Sequence, residues 1–242
     1  MNDVRIPRWS DIALVNNSTD FVVTDEFLHA LQVQYGRDLA PAWGTWGDID
    51  LVPADQIPDK RMVLGIFDTA DQAYVLGYHD ITPSGLPVGK VFVETSRANN
   101  ASISVVTSHE MCEMVVNPFI NRMIQDLRHP FRFWISEVCD AVEADEDGYA
   151  IEGVQVSNFV LPSYFNDLSG PWDQVGLLTG PLPTLRPGGY LSYIEHGMWH
   201  QIYGRNRAAR IGKFGGSGRL NRVGRQKIIS TFNVIRQDVQ AP

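Results

Sequence analysis

The sequence predicts an α+β fold, with a mixed β-sheet, one site-bearing helix and a flexible basic C-terminal tail. Three observations carry that expectation. Short apolar runs at 61–67, 73–79 and 88–94 are separated by loops, the second of them marked by Pro83, Gly85 and Pro87, as in an antiparallel or mixed sheet. Residues 102–116 contain neither Gly nor Pro and are followed by Pro118, which reads as a helix despite several β-branched residues. The third observation is charge. Residues 1–204 hold 11 Lys and Arg against 27 Asp and Glu, whereas 205–242 hold 9 Lys and Arg against one Asp. An acidic domain over 1–204 and a basic tail over 205–242 follow, and such asymmetry predicts a partner for the tail.

The 242 residues are 44% hydrophobic and 20% charged with a net charge of −8, a composition that supports a globular core. No apolar run approaches the roughly 20 residues that span a bilayer. The segment Met1–Ser10 has no apolar stretch of the kind a secretory signal needs. The expectation is a cytoplasmic protein with no membrane partner. Cys112 and Cys139 are too few for a disulfide framework and read as reduced core thiols.

Along the chain, 11–15 reads as a first strand. Thr24 is a good N-cap, and Asp25 and Glu26 suit the first turn of the helix that follows. Phe27, Ala30, Leu31, Gln34 and Tyr35 recur at helical spacing, with Pro41 and Gly44 expected to end the helix and 42–50 expected as loop. Asn99 or Asn100 is the expected cap of the helix over 102–116. Residues 131–142 are ambiguous between helix and strand. Hairpins are expected at 149–156, turning at Glu152-Gly153, and at 188–203, turning around 195–197. Residues 143–148 resemble the start of a calcium loop, but the twelfth position is Val154, so a solvated acidic turn is the default.

The candidate chemistry lies in Ser108-His109-Glu110-Met111-Cys112-Glu113-Met114. On a helix His109 and Glu113 are i and i+4, one turn apart on one face. A histidine and a carboxylate so placed can grip one divalent ion, Zn²⁺ first, with Mn²⁺ also acceptable to an oxygen ligand. Glu110 then stands as the general base. A third ligand must come from elsewhere, and Glu137 is the best placed; Asp140 and Glu143 are rivals. If 135–142 is helical, Asp140 can instead accept a hydrogen bond from the free ring nitrogen of His109. A His and two Glu inside an apolar helix need a partner, because unpaired buried charge is costly. The strand at 88–94 is the expected edge along which a peptide would lie. Tyr164, Tyr190, His196 and His200 are candidates to stabilise an oxyanion. His79 is a weaker candidate, for a supporting or substrate contact.

Several blocks resemble a family of phage-borne and bacterial HExxE zincin-like metallopeptidases. They are Ala30-Leu31-Gln32 with Pro41-Ala42-Trp43-Gly44, Gly77-Tyr78-His79-Asp80, Ser108–Met114 with Asn117-Pro118, Glu137-Val138-Cys139-Asp140, the run from Gly153 to Pro162, and Gly188-Gly189-Tyr190. The likeness is collinear over roughly residues 20–205. It implies a zincin-like metallopeptidase fold, zinc at His109, Glu113 and Glu137, Glu110 as base, and a peptide or protein substrate. The alternative is a virion structural or assembly protein that keeps the same body. For the tail, contact with a protein partner or another copy of the chain is expected ahead of nucleic acid, because Phe214 and Phe232 are its only aromatic residues.

Overall fold

The computed structural model describes residues 10–72, 75–166 and 169–205. The tail expected over 205–242 lies outside the described residues from 206 onward. The chain folds as a mixed α+β structure. It begins with β1 (Ile12–Asn16), then α1 (Asp25–Val33), α2 (Ala40–Trp43) and β2 (Ile49–Leu51). Strands β3 (Met62–Phe67), β4 (Gly77–Ile81) and β5 (Pro87–Phe92) follow, then α3 (Val93–Ala98) and α4 (Ile103–Val116). The second half holds β6 (Met123–Gln125), β7 (Arg132–Ile135), β8 (Tyr149–Ile151), β9 (Val154–Val156), α5 (Pro162–Phe165), β10 (Tyr190–Glu195) and β11 (Met198–Tyr203).

The first sheet has the order β2-β1-β3-β5-β4. Its first four strands run parallel, and β4 lies antiparallel to β5 at the edge. Ile12, Ala13 and Leu14 in β1 are fully buried, as expected of a strand covered on both faces. The expected edge strand over 88–94 is corrected here: β5 pairs with both β3 and β4, and β4 is the edge. Strand order is a tertiary property that local hydrophobicity does not encode. The second sheet is antiparallel, in the order β11-β10-β7-β6. The two expected hairpins form. Glu152 and Gly153 turn β8 into β9 with φ of 49° and 88°, and His196 and Gly197 turn β10 into β11 with φ of 50° and 75°, the left-handed pair that a two-residue turn requires.

Thr24 caps α1, its side chain accepting from the Phe27 N–H at 3.2 Å. The helical path does not stop at Pro41. It runs through a widened turn over Gln34–Leu39 into α2 and ends at Gly44, left-handed at φ 66°. Pro41 is tolerated because it opens a new helical segment, where its missing N–H has no partner to lose.

Helix α4 is the centre of the molecule. Every residue from Val105 to Val116 is buried, so the helix is covered all round by β3, β4 and β5, by α3 and by β9. Its cap is Ser102 rather than Asn99 or Asn100; Ser102 has no side-chain cap bond, and its N–H donates to Asp145 Oδ2 at 2.7 Å. Two glycines let α4 settle on the sheet. A Cβ on Gly77 would stand 2.8 Å from Glu110 Oε1, and one on Gly89 would stand 2.6 Å from Leu64 Cδ1. Residues 135–142 are not a helix: β7 ends at Ile135, and a single 3₁₀ turn covers Asp140–Val142.

Candidate metal centre

Three stretches meet beside α4. At about 100° per residue, Glu113 lies roughly 40° around the helix from His109, and Glu110 roughly 100°. Glu113 therefore sits between the other two. The loop after β7 brings Glu137, Cys139 and Asp140. The edge strand β4 brings His79, on the same face as Gly77 because strand side chains alternate.

The donors fall into two groups that share Glu113. On one side His109 Nε2 lies 3.2 Å from Glu113 Oε1 and 3.6 Å from Asp140 Oδ1. Cys139 joins this group, and its N–H donates to Glu113 Oε1 at 3.2 Å. On the other side His79 Nδ1 lies 3.7 Å from Glu113 Oε2 and 3.8 Å from Glu110 Oε2. There His79 Nε2 faces Glu137 Oε2 at 3.6 Å. Asn117, at the end of α4, donates from Nδ2 to Glu137 Oε1 at 3.3 Å, while its Oδ1 accepts from the Asn121 and Arg122 N–H groups.

All of these acids are buried: Glu110 is 1% exposed, Asp140 2%, Glu113 4% and Glu137 5%. Burial raises the Glu113 carboxyl, Asp140 adds to the rise, and His109 opposes it. Burial also lifts Glu137 well above the usual range; His79 opposes this and Glu113 reinforces it. Burial alone would lower His79, but Glu137, Glu110 and Glu113 outweigh it and hold the imidazole at about 9. Burial, with Cys112 as neighbour, keeps the Cys139 thiol protonated. Without an ion, then, Glu113, Glu137 and Cys139 hold their protons more tightly than usual.

The donor set fits a divalent cation. Ligand atoms about 2.0–2.2 Å from a tetrahedral zinc stand roughly 3.3–3.6 Å from one another, close to the 3.2–3.8 Å spacings found here. His79 Nε2, Glu137 Oε2 and Asp140 Oδ1 are buried and have no hydrogen-bond partner among the described residues. Such atoms need an explanation in a folded protein, and a shared cation supplies one.

The sequence-predicted residues are distributed as follows. His109, Glu110, Glu113 and Asp140 lie together. Glu137 groups with His79 and Glu113 rather than with His109. Asp140 faces the same His109 nitrogen as Glu113, Nε2, rather than the second ring nitrogen. Glu143 is half-buried beyond the 3₁₀ turn and belongs to neither group. Tyr164 is buried and its hydroxyl donates to the Thr184 carbonyl at 2.7 Å. His196 sits in the β10–β11 turn against Phe131, and His200 stacks on Tyr193 at 4.9 Å. Tyr190 is buried at the start of β10; the preceding Gly189 packs closely on the Asp140 carbonyl, to which a Cβ would come within 2.9 Å. A cavity of about 470 Å³ lies behind α4, lined by Met62, Leu86, Pro87, Val115 and Pro118 among others, and contains none of these donors.

Sequence reasoning underrated His79 and passed over Asn117 and Cys139. For His79 a signal was present: a glycine two residues earlier on one strand face marks where a helix comes close. No family model, curated protein or solved structure matches the chain.

Proposed function

We propose that the chain is a zinc-dependent peptide hydrolase of zincin-like build. His109, Glu113 and Asp140 would hold the ion, and Glu110 would act as general base. The observation that carries the proposal is the approach of the Glu113 and Asp140 carboxylates to one imidazole nitrogen, His109 Nε2, at 3.2 and 3.6 Å, with all three side chains nine-tenths or more buried. A zinc ion there would supply Lewis acidity, polarising a carbonyl oxygen and acidifying water. Glu110 accepts the proton of the attacking water and returns it to the leaving amine. Gly77 leaves room for that carboxylate against β4, and His79 Nδ1 lies 3.8 Å from its Oε2. The substrate strand would add to the free edge of β4, since among the described residues β4 pairs only with β5. Of the four oxyanion candidates, Tyr190 is the one whose neighbour packs on the Asp140 segment.

Zinc analysis of the purified chain together with cleavage of a mixed peptide library tests the proposal. Glu110→Gln should abolish cleavage and keep the metal. Unchanged cleavage in that variant contradicts the base assignment.

One observation favours the second reading, a virion structural or assembly protein. Every acid of the cluster is at most 5% exposed, and closed coordination is the habit of structural metal sites. In that case the ion ties α4 to the loop after β7, and the tail joins neighbouring subunits. Metal retained with no peptide cleaved, and assembly lost on deleting 205–242, is the outcome that reading requires. No helix among the described residues is long and apolar enough to cross a membrane.

A further inference from the structure

We infer that the cluster is a two-cation centre: His79, Glu137 and Glu113, whose ligand atoms lie within 4.8 Å of one another, form a second divalent-metal position, bridged to the His109 position by the Glu113 carboxylate. Three observations lead there. The first is the division of Glu113 itself. Its Oε1 faces His109 at 3.2 Å while its Oε2 faces the His79 ring at 3.7 Å, so its two oxygens serve two sides. A carboxylate placed between two donor sets in this way is a bridging ligand. The second is the pair on the far side. His79 Nε2 and Glu137 Oε2 are 3.6 Å apart, too long for a hydrogen bond, and neither atom has a hydrogen-bond partner among the described residues. Their side chains are 6% and 5% exposed, so water does not relieve them. Asn117 holds the other Glu137 oxygen, which leaves Oε2 turned toward His79.

The third observation is charge. Glu110, Glu113, Glu137 and Asp140 bring four carboxylates into one buried cluster, and among the described residues the cationic groups within 4 Å of Glu113 and Glu137 are histidines. One divalent ion at the His109 position, with His79 protonated, leaves one negative charge buried without compensation, at a cost of several kcal/mol. Two divalent ions balance all four. The His79 position offers one imidazole and two carboxylates, an oxygen-rich set that suits Mn²⁺ or Zn²⁺. The His109 position, with Cys139 beside it, is the softer of the two and suits Zn²⁺. The bridging role of Glu113 rests on the ion proposed at His109; the His79 position does not.

Metal-stripped full-length chain, loaded separately with Zn²⁺ and Mn²⁺ and read by native mass spectrometry, tests the inference, with electron paramagnetic resonance of the Mn²⁺ form as a second readout. The wild type should hold two ions, with an exchange-coupled manganese spectrum. Glu137→Gln and His79→Ala should each hold one and give an uncoupled spectrum, as should His109→Ala. Glu137→Gln keeps shape and volume, so it remains informative where His79→Ala fails to fold. One ion in the wild type, retained in Glu137→Gln but lost in His109→Ala, overturns the second position and leaves the first standing. One ion lost in Glu137→Gln but kept in His109→Ala overturns the bridged pair and the proposed His109 site, while leaving a His79 site. No ion in any form overturns both.

Discussion

Two acidic regions of this chain lie close in sequence and behave differently. In the turn at 145–147, Asp145 accepts from the Ser102 N–H and Asp147 forms a forked pair with Arg186 at 2.8–3.1 Å. Asp145 and Asp147 each have a donor supplied by the protein. In the cluster beside α4, Glu137 and Asp140 each keep a buried oxygen without a hydrogen-bond partner among the described residues. The difference lies in what faces the carboxylates: an arginine and a backbone N–H in the turn, imidazoles beside α4. Acid density alone does not mark a metal site, and the calcium-loop likeness at 143–148 is explained by structural pairing.

The comparison can be broken most directly by substitution. Glu113→Ala removes the residue common to both donor groups and should abolish metal binding altogether, as elemental analysis would show. Asp147→Ala should leave metal content unchanged and cost about 1–3 kcal/mol of stability through the lost pair with Arg186, read from denaturant unfolding. Metal loss in the Asp147 variant would erase the distinction. Glu110→Gln should lower peptide cleavage about 10²–10⁴-fold with metal content unchanged.

A pH series sharpens the same contrast. The Glu113 and Glu137 carboxyls are raised above their usual 4.5 by burial, so the folded metal-free chain binds protons that the unfolded chain has released. Its stability therefore falls as pH rises. His79, held at about 9 against an ordinary 6.5, acts in the same direction: its contribution is full below 6.5 and is lost as pH passes 9. Thermal melts of the chelated chain should fall steadily between pH 6 and pH 9, and added zinc should stabilise most at the upper end. A zinc effect that shrinks with rising pH would contradict this. The smallest effect expected is that of Gly77→Ala, about 1–3 kcal/mol of destabilisation as the new methyl displaces Glu110, with metal content retained.

What was legible in the sequence follows from locality. Helix α4 could be read because fifteen residues lack Gly and Pro and a proline follows, and the i, i+4 spacing placed His109 and Glu113 on one face without tertiary information. The hairpin turns could be read because Glu152-Gly153 and His196-Gly197 are local solutions to a tight reversal. The approach of His79 carried only the hint of Gly77 two residues earlier, since it depends on β4 being the edge strand beside α4. For the same reason the strand at 88–94 was misplaced at the edge. Glu137 and Asp140 were identified as candidates, but an assumed helix over 135–142 put them on one side. The extended loop that forms instead sends Glu137 to His79 and Asp140 to His109. The widened turn before α2 was hidden because a proline in a helical pattern usually means a stop.

The central claim is that the cluster beside α4 is built for divalent metal. Titrating chelator-stripped full-length chain with Zn²⁺ while following thermal unfolding tests it most directly. A free zinc concentration a hundredfold above Kd should add about 2.7 kcal/mol, which raises the melting temperature of a chain this size by roughly 5–10 °C, and Glu113→Ala should erase the gain. An unchanged melting temperature across the titration, or an equal gain in Glu113→Ala, would contradict the claim.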